Sequence, residues 1–443
     1  MDVFLRYFVI FFIFPALIGV SVYLSVCLKW PQLRHLGDAF KQLLVEKKEG
    51  GKMGNFAAVA TIVGGNLGAG TVVGTALAIS TGGPGAIFWM IVVALLGSVI
   101  KLACATLGVF YQEKQHHERC VGGPMFYIEK GVGSRPLSLL YCVFLVGASL
   151  SVGNLVQTNV FVKSIPNCGT WVKILCILSF AVPAVVILFG GLKKFAAFMS
   201  RSVPIIGIAY IAICCVGICM MRDRAVFALK EIFCGAFSLA SVGGGASGIV
   251  LLRALHEGTS RGLFATDIGL GLSAIAHGNV DGGCLPLAQH ARDQGIISLL
   301  APILVAILCS ITGILIVCAA PDFSQNSSKI CIDTFTTAFR SNCAGLMVPI
   351  TVYFFALTTI LSWAWFAEHS FFFIRRANWR YYYRVVSIAM MPIGAFMQTT
   401  LPWKIADICI EGLLLINLLA IVFLRNKLAS IHLEGDAPDC GNG

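Results

Sequence analysis

Apolar positions gather into stretches of roughly 20 residues, the length a helix needs to cross a bilayer. They fall near 5–28, 56–81, 85–111, 137–162, 171–190, 203–221, 235–252, 296–319, 346–374, 384–400 and 405–424. The pattern predicts an all-α, polytopic membrane protein with about eleven transmembrane helices. Two of the stretches are interrupted by glycine, the poorest helix former after proline: "GGNLGAGTVVG" at 64–74 and "SLASVGGGASGIVLL" at 238–252.

A glycine-rich run can cradle a dinucleotide phosphate, but such a site needs a strand before it and an acidic residue about 20 positions on. Here the sequence continues "TALAISTGGPGAIFWMIVVALLG" with no acid. The reading that fits is a membrane helix broken near the bilayer midplane, where freed backbone groups line a site. The two breaks begin about 180 residues apart, which leaves room for five helices per inverted repeat. Close packing of small residues, Gly70 with Gly74 for example, is the alternative use of such glycines. The plan divides the chain into an N-terminal helix with its link at 1–54, a first repeat at 55–222, a second at 223–424 and a tail at 425–443.

Composition agrees: 58% of the 443 residues are hydrophobic and 12% charged, against about 25% charged in soluble domains. Mean hydropathy is +0.86. The net charge of +11 sits in alternate loops, "KWPQLRHLGDAFKQLLVEKKEGGK", "QEKQHHER", "GGLKKFAAFMSR", "LLRALHEGTSR" and "RRANWRYYYR". By the positive-inside rule these face the cytoplasm, as for a multi-pass protein of a bacterial inner membrane. With no basic and aromatic patch, the charge sets topology and does not call for nucleic acid. The partners expected are the lipid bilayer and a small solute, and a monomer is compatible with the plan. "WPQLRHLGDAFKQL" has apolar positions at helical spacing and predicts an amphipathic helix on the inner surface, with an ordinary linker as the alternative. The longest polar stretch between spans, 253–295, is glycine-rich and only mildly polar, which leaves no soluble domain to hold an enzyme. Most of the 17 cysteines lie in apolar runs as small hydrophobes, with a Cys331–Cys343 disulfide in an external loop as one exception to test. No nucleophile, base and orienter form a recognisable set, so an enzyme is not expected.

Several blocks together resemble the alanine/glycine:cation symporter family. They are "GGPGAIFWMIVVALLGSVIK" (82–101), "VGGPMFYIEKGVG" (121–133), "GNLVQTN" (153–159), "RGLFATDIGLGLSAIAHG" (261–278), "FALTTILSWAWFAE" (355–368) and "WKIADICIEGLLLINLL" (403–419), in the family's order. The resemblance implies a LeuT-type core of two five-helix inverted repeats plus one extra N-terminal helix. It also implies import of alanine or glycine with co-transported sodium. The family's first-break pattern Gly-Thr-Gly-Asn-Ile falls on Gly68, Ala69, Gly70, Thr71 and Val72, with Thr71 where the family has asparagine.

Substrate contacts are therefore expected at Gly68, Gly70 and Thr71, at Asn154 and Gln157 of the matching "GNLVQTN" run, and at Gly243, Gly244, Gly245 and Ser247 of the second break. Gln157 is the favoured ammonium acceptor. Sodium is expected at Gly65 and Asn66 of the first break with Thr358, Thr359 and Ser362 on the eighth core helix; a hydroxyl bonded back to its own helix is the alternative at each. Cys104 stands where the family's Lys-x-x-Glu pattern has glutamate, leaving Lys101 to snorkel to the inner surface. "APILVAILCSI" replaces a family segment that carries acids, which makes Glu411 the one acid at depth. These losses and Thr71 keep open a proton-coupled or uncoupled carrier of another small zwitterion.

Overall fold

The computed structural model describes residues 14–44, 53–115, 119–165, 168–237, 246–375, 378–397 and 401–434. Its helices are α1 Phe14–Cys27, α2 Leu36–Leu44, α3 Asn55–Asn66, α4 Ala69–Gly82, α5 Ala86–Phe110, α6 Arg135–Lys163, α7 Thr170–Leu188, α8 Gly191–Met220 and α9 Arg222–Phe237. They continue as α10 Ala246–Thr266, α11 Leu272–His277, α12 Leu287–Ser298, α13 Leu300–Ala319, α14 Ser327–Phe339, α15 Met347–Phe373, α16 Trp379–Phe396, α17 Leu401–Phe423 and α18 Arg425–Glu434. A two-stranded antiparallel hairpin, β1 Glu113–Gln115 and β2 Arg119–Val121, follows α5.

Among the described residues seven helical segments are long and apolar enough to cross a membrane, and α3 with α4 make an eighth crossing, bent by 44°. α12 and α13 together count as one of the seven. The other expected stretches also carry helices, α1, α9 with α10, and α16.

Three expectations change. The charged "GGLKKFAAFMSR" is not a loop: all but its first glycine lies in α8, which runs 30 residues. "LLRALHEGTSR" is not a loop either, because α10 runs through it to Thr266. Glycines explain α10: a Cβ on Gly258 would run into the carbonyl of Ala86, and one on Gly262 would lie 3.1 Å from the Met90 backbone. This small face packs α10 directly on α5, so polar composition on its other sides does not prevent a helix. Finally, Cys331 lies buried in α14 with its thiol donating to the Val72 carbonyl at 3.7 Å, and Cys343 is exposed and unbonded, so they form no disulfide.

α2 is a helix and not a plain linker. Its Ala39 and Leu43 are buried, and it packs on α12. Residues 149–156 of α6 are wound as a π-helix, a widening that is rare and frequently marks a functional site. It packs on α15, α16 and α17.

α15 and α16 are clamped by a buried ion pair: Arg384 Nε donates to Glu368 Oε1 at 2.6 Å and its second nitrogen to Oε2 at 2.7 Å. Two parallel charge-assisted bonds need the planar guanidinium fork, which lysine lacks. Arg384→Lys is expected to destabilise the protein by about 1.5–3 kcal/mol, the worth of one such bond. A thermal melt of the purified variant at wild-type temperature would show that the fork is dispensable.

Candidate functional site

The last carbonyls of a helix have no partner within it, and α3 ends in the middle of the protein. Leu67 and Gly68 leave helical geometry, Gly68 with φ −86° and ψ −155°, and α4 begins at Ala69. Side chains reach carbonyls of the last two turns of α3. Thr359 Oγ1 donates to the Gly64 carbonyl at 3.0 Å, Ser362 Oγ to Thr61 at 2.9 Å and Thr71 Oγ1 to Asn66 at 3.1 Å. Thr359 and Ser362 are three apart on α15 and so share the face turned to α3. The Asn66 amide donates to the Thr266 carbonyl at the end of α10 at 3.0 Å. Its Oδ1 is buried with no hydrogen-bond partner among the described residues. Oxygen atoms of this kind are what a hard cation binds.

Gly68 is the point of convergence. A Cβ there would lie 2.9 Å from Gln157 Nε2, Gln157 Oε1 and Thr359 Oγ1 alike. Gln157 is held by its own helix, Nε2 donating to the Val152 carbonyl at 3.1 Å. Gly65 is close as well, its added Cβ 3.3 Å from Ser362 and Phe366.

The structure thus brings Gly65, Asn66, Gly68, Thr71, Gln157, Thr359 and Ser362 to one break. Thr358 is adjacent to Gly64, yet its hydroxyl bonds back to the Phe355 carbonyl at 2.9 Å. Asn154 points elsewhere: its amide donates to Ser149 O at 3.2 Å and to Ser387 Oγ of α16 at 2.9 Å. Gly70 lies in the first turn of α4 and Ser247 in the first turn of α10, while Gly243, Gly244 and Gly245 lie outside the described residues. Trp363 is fully buried and covers Gly153, where a Cβ would be 2.7 Å away, and its indole N–H has no partner among the described residues.

Sequence reasoning missed a second polar cluster on the inner side. Lys101 does not snorkel: it is 1% exposed, and its Nζ, like Asp267 Oδ2, is buried with no hydrogen-bond partner among the described residues. Asp267, at φ 49° just after α10, is 4% exposed, so Glu411 is not the one acid at depth; Glu368 is buried too. The place of the missing glutamate is filled by neutral groups. The Asn417 amide donates to Cys104 Sγ at 3.2 Å and to the Gly269 carbonyl at 2.7 Å, and the Tyr127 hydroxyl donates to Asn417 Oδ1. The Asp-Ile-Gly-Leu-Gly run at 267–271 was the available signal, a turn composition with three left-handed residues in it.

With this geometry in hand, comparisons place the chain. The model of the sodium:alanine symporter family matches residues 2–434. An uncharacterized transporter of Haemophilus influenzae is 32% identical over 422 residues, covering 93% of this chain and 90% of the relative. The sodium/alanine symporter AgcS of Methanococcus maripaludis is 26% identical over 94% of this chain and 92% of its own. Among solved structures, MhsT in complex with L-phenylalanine superposes with a TM-score of 0.59 at 15% identity, covering 85% of this chain and 91% of that one. That likeness is one of fold, the LeuT type. The chain belongs to the sodium:alanine symporter family, and is a multi-pass inner-membrane transporter, not an enzyme, within a family whose coupling ion is sodium.

Proposed function

We propose that the chain imports alanine or glycine together with sodium, both taken at the break around Gly68. The observation that carries this reading is the convergence of Gly68, the Gln157 amide and the Thr359 hydroxyl, beside an oxygen-rich last turn of α3. In it sodium takes Thr359, Ser362, Asn66 Oδ1 and carbonyls of α3 around Gly65 as ligands, with Thr358 at the edge. The substrate carboxylate meets the uncapped N-terminus of α4 at Ala69 and Gly70, where backbone N–H groups and the helix dipole favour an anion. Gln157 Oε1 accepts from the ammonium. Asn154 then acts through α16 and not on the substrate, and Gly243, Gly244, Gly245 and Ser247 of the second break are assigned to the substrate from the sequence alone.

Thr71 has a different task from the asparagine it replaces. Its proton goes to the Asn66 carbonyl, so toward a ligand it offers only lone pairs. A small substrate suits a site whose central glycine, Gly68, stands close to two polar side chains. Coupling follows from placement: sodium bound between α3 and α15 joins the broken helix to a helix of the other repeat, so the rocking of repeat 55–222 against 223–424 senses both ligands.

Reconstituted protein should accumulate labelled alanine or glycine under an inward sodium gradient and stop when sodium is replaced by potassium. Thr359→Ala should raise the sodium half-saturation about tenfold, near 1.4 kcal/mol, with a smaller change in that for amino acid. Uptake indifferent to sodium and driven by a pH gradient would replace this reading with the proton-coupled one.

A further inference from the structure

α3 has two functional ends. Its C-terminal end forms the break; its N-terminal end, about 18 Å away for 12 residues, opens on a cavity of about 290 Å³ lined by Lys41 and Gln42 of α2, Asn55 of α3, Asp281, and Asp293 and Gln294 of α12. Against the roughly 30 Å³ share of one liquid water, that volume holds a small zwitterion with several waters.

The lining carries both signs. It holds the Lys41 ammonium and the first turn of α3, whose N-cap, Gly54, offers its N–H groups no side chain. It also holds the carboxylates of Asp293 and of Asp281, whose Oδ1 accepts from the Gly283 N–H at 3.0 Å. Gln42 Nε2 donates to Asp293 Oδ1 at 3.4 Å, and Gln42 Oε1 is buried with no partner among the described residues. A buried acceptor left open costs stability unless a donor fills it. Hydrogen bonds tie the lining residues to one another and to the buried His277. Gln294 Nε2 donates to Asn55 Oδ1 at 2.7 Å, Gln294 Oε1 pairs with His277 Nδ1 at 2.7 Å, and Met53 bridges to Val280.

We propose that this cavity is a second, inner-face binding subsite for the transported amino-acid zwitterion. The carboxylate is held by Lys41 and the N-terminus of α3, and the ammonium by Asp293, Asp281 and Gln42 Oε1. A cation alone fits poorly, because Lys41 and the helix dipole oppose it. A free anion meets the two aspartates. The subsite rests on the amino-acid transport reading above and adds that product leaving the break is held once more before release.

The test compares transport from the two faces, using right-side-out and inverted membrane vesicles and labelled alanine or glycine. Lys41→Gln and Asp293→Asn should each raise the inner-face half-saturation for the amino acid five- to tenfold and leave the outer-face value within twofold. Lys41 is exposed, so its variant folds even if the Asp293 variant does not. Unchanged inner-face values in the Lys41 variant, or equal shifts on both faces, overturn the subsite. A shift in the inner-face sodium requirement alone overturns it in favour of a cation site. Wild-type vesicles that move neither amino acid from either face overturn the transport reading, and the subsite with it.

Discussion

Gly68→Ala is expected to lower transport at least 100-fold while the purified protein melts within a few degrees of wild type. The glycine is not there for its backbone, since φ −86° and ψ −155° are open to any residue. What it supplies is space. A methyl group would lie 2.9 Å from both ends of the Gln157 amide and from Thr359 Oγ1, closer than real Cβ contacts run. Both side chains can swing away, so the cost in stability is modest, near the 1 kcal/mol typical of a substitution. Swinging away, however, breaks Gln157 from the Val152 carbonyl and Thr359 from the Gly64 carbonyl, and a shift of about 1 Å in a positioned group can cost 100-fold in rate. Gly65→Ala, whose Cβ would sit at 3.3 Å from carbon atoms of Ser362 and Phe366, should lose less. Uptake by Gly68→Ala at the wild-type rate would mean that neither ligand sits at this break.

Much of this site was legible because its signals are local. A glycine run in an apolar stretch marks a break by backbone chemistry alone, and Thr359 and Ser362 are spaced to share one helix face, as the bonds to Gly64 and Thr61 show. Asn154 and Gln157, also three apart, were expected together because both fall in the "GNLVQTN" run that resembles the family's. The π-wound segment 149–156 turns more slowly per residue, so Asn154 faces Ser387 of α16 while Gln157 faces Gly68. No periodicity in the sequence announces such a widening. Helix α10 hid its extent because hydropathy counts its polar residues and misses its glycine face against α5. Lys101 and Asp267 were illegible for a further reason: they are 166 positions apart, and only the packing of α5 against α10 brings both into one buried region.

That pair carries the second large effect. Asp267→Asn leaves the Lys101 ammonium buried without its counter-charge, and Lys101→Met does the same to the Asp267 carboxylate. Lys101 Nζ and Asp267 Oδ2 share no hydrogen bond, so each single change should cost more than the roughly 1 kcal/mol of a typical substitution but less than breaking a bonded buried pair. Lys101→Met/Asp267→Asn should recover part of the loss, because it leaves neither buried charge alone. Melting curves of the four proteins, read as a double-mutant cycle, should therefore give a coupling above about 0.5 kcal/mol, the lower end for interacting residues. Additive effects would mean that the two charges do not sense each other. Transport by the double variant then separates two roles. The network around Cys104, Asn417 and Tyr127 is neutral and supplies no further charge to the cluster. If the pair serves only to let a lysine sit at depth, the double variant transports at the wild-type rate. If instead α5 and the turn after α10 separate during the cycle, the pair is made and broken in each turnover, and neutralising it changes the rate while leaving the melting temperature restored.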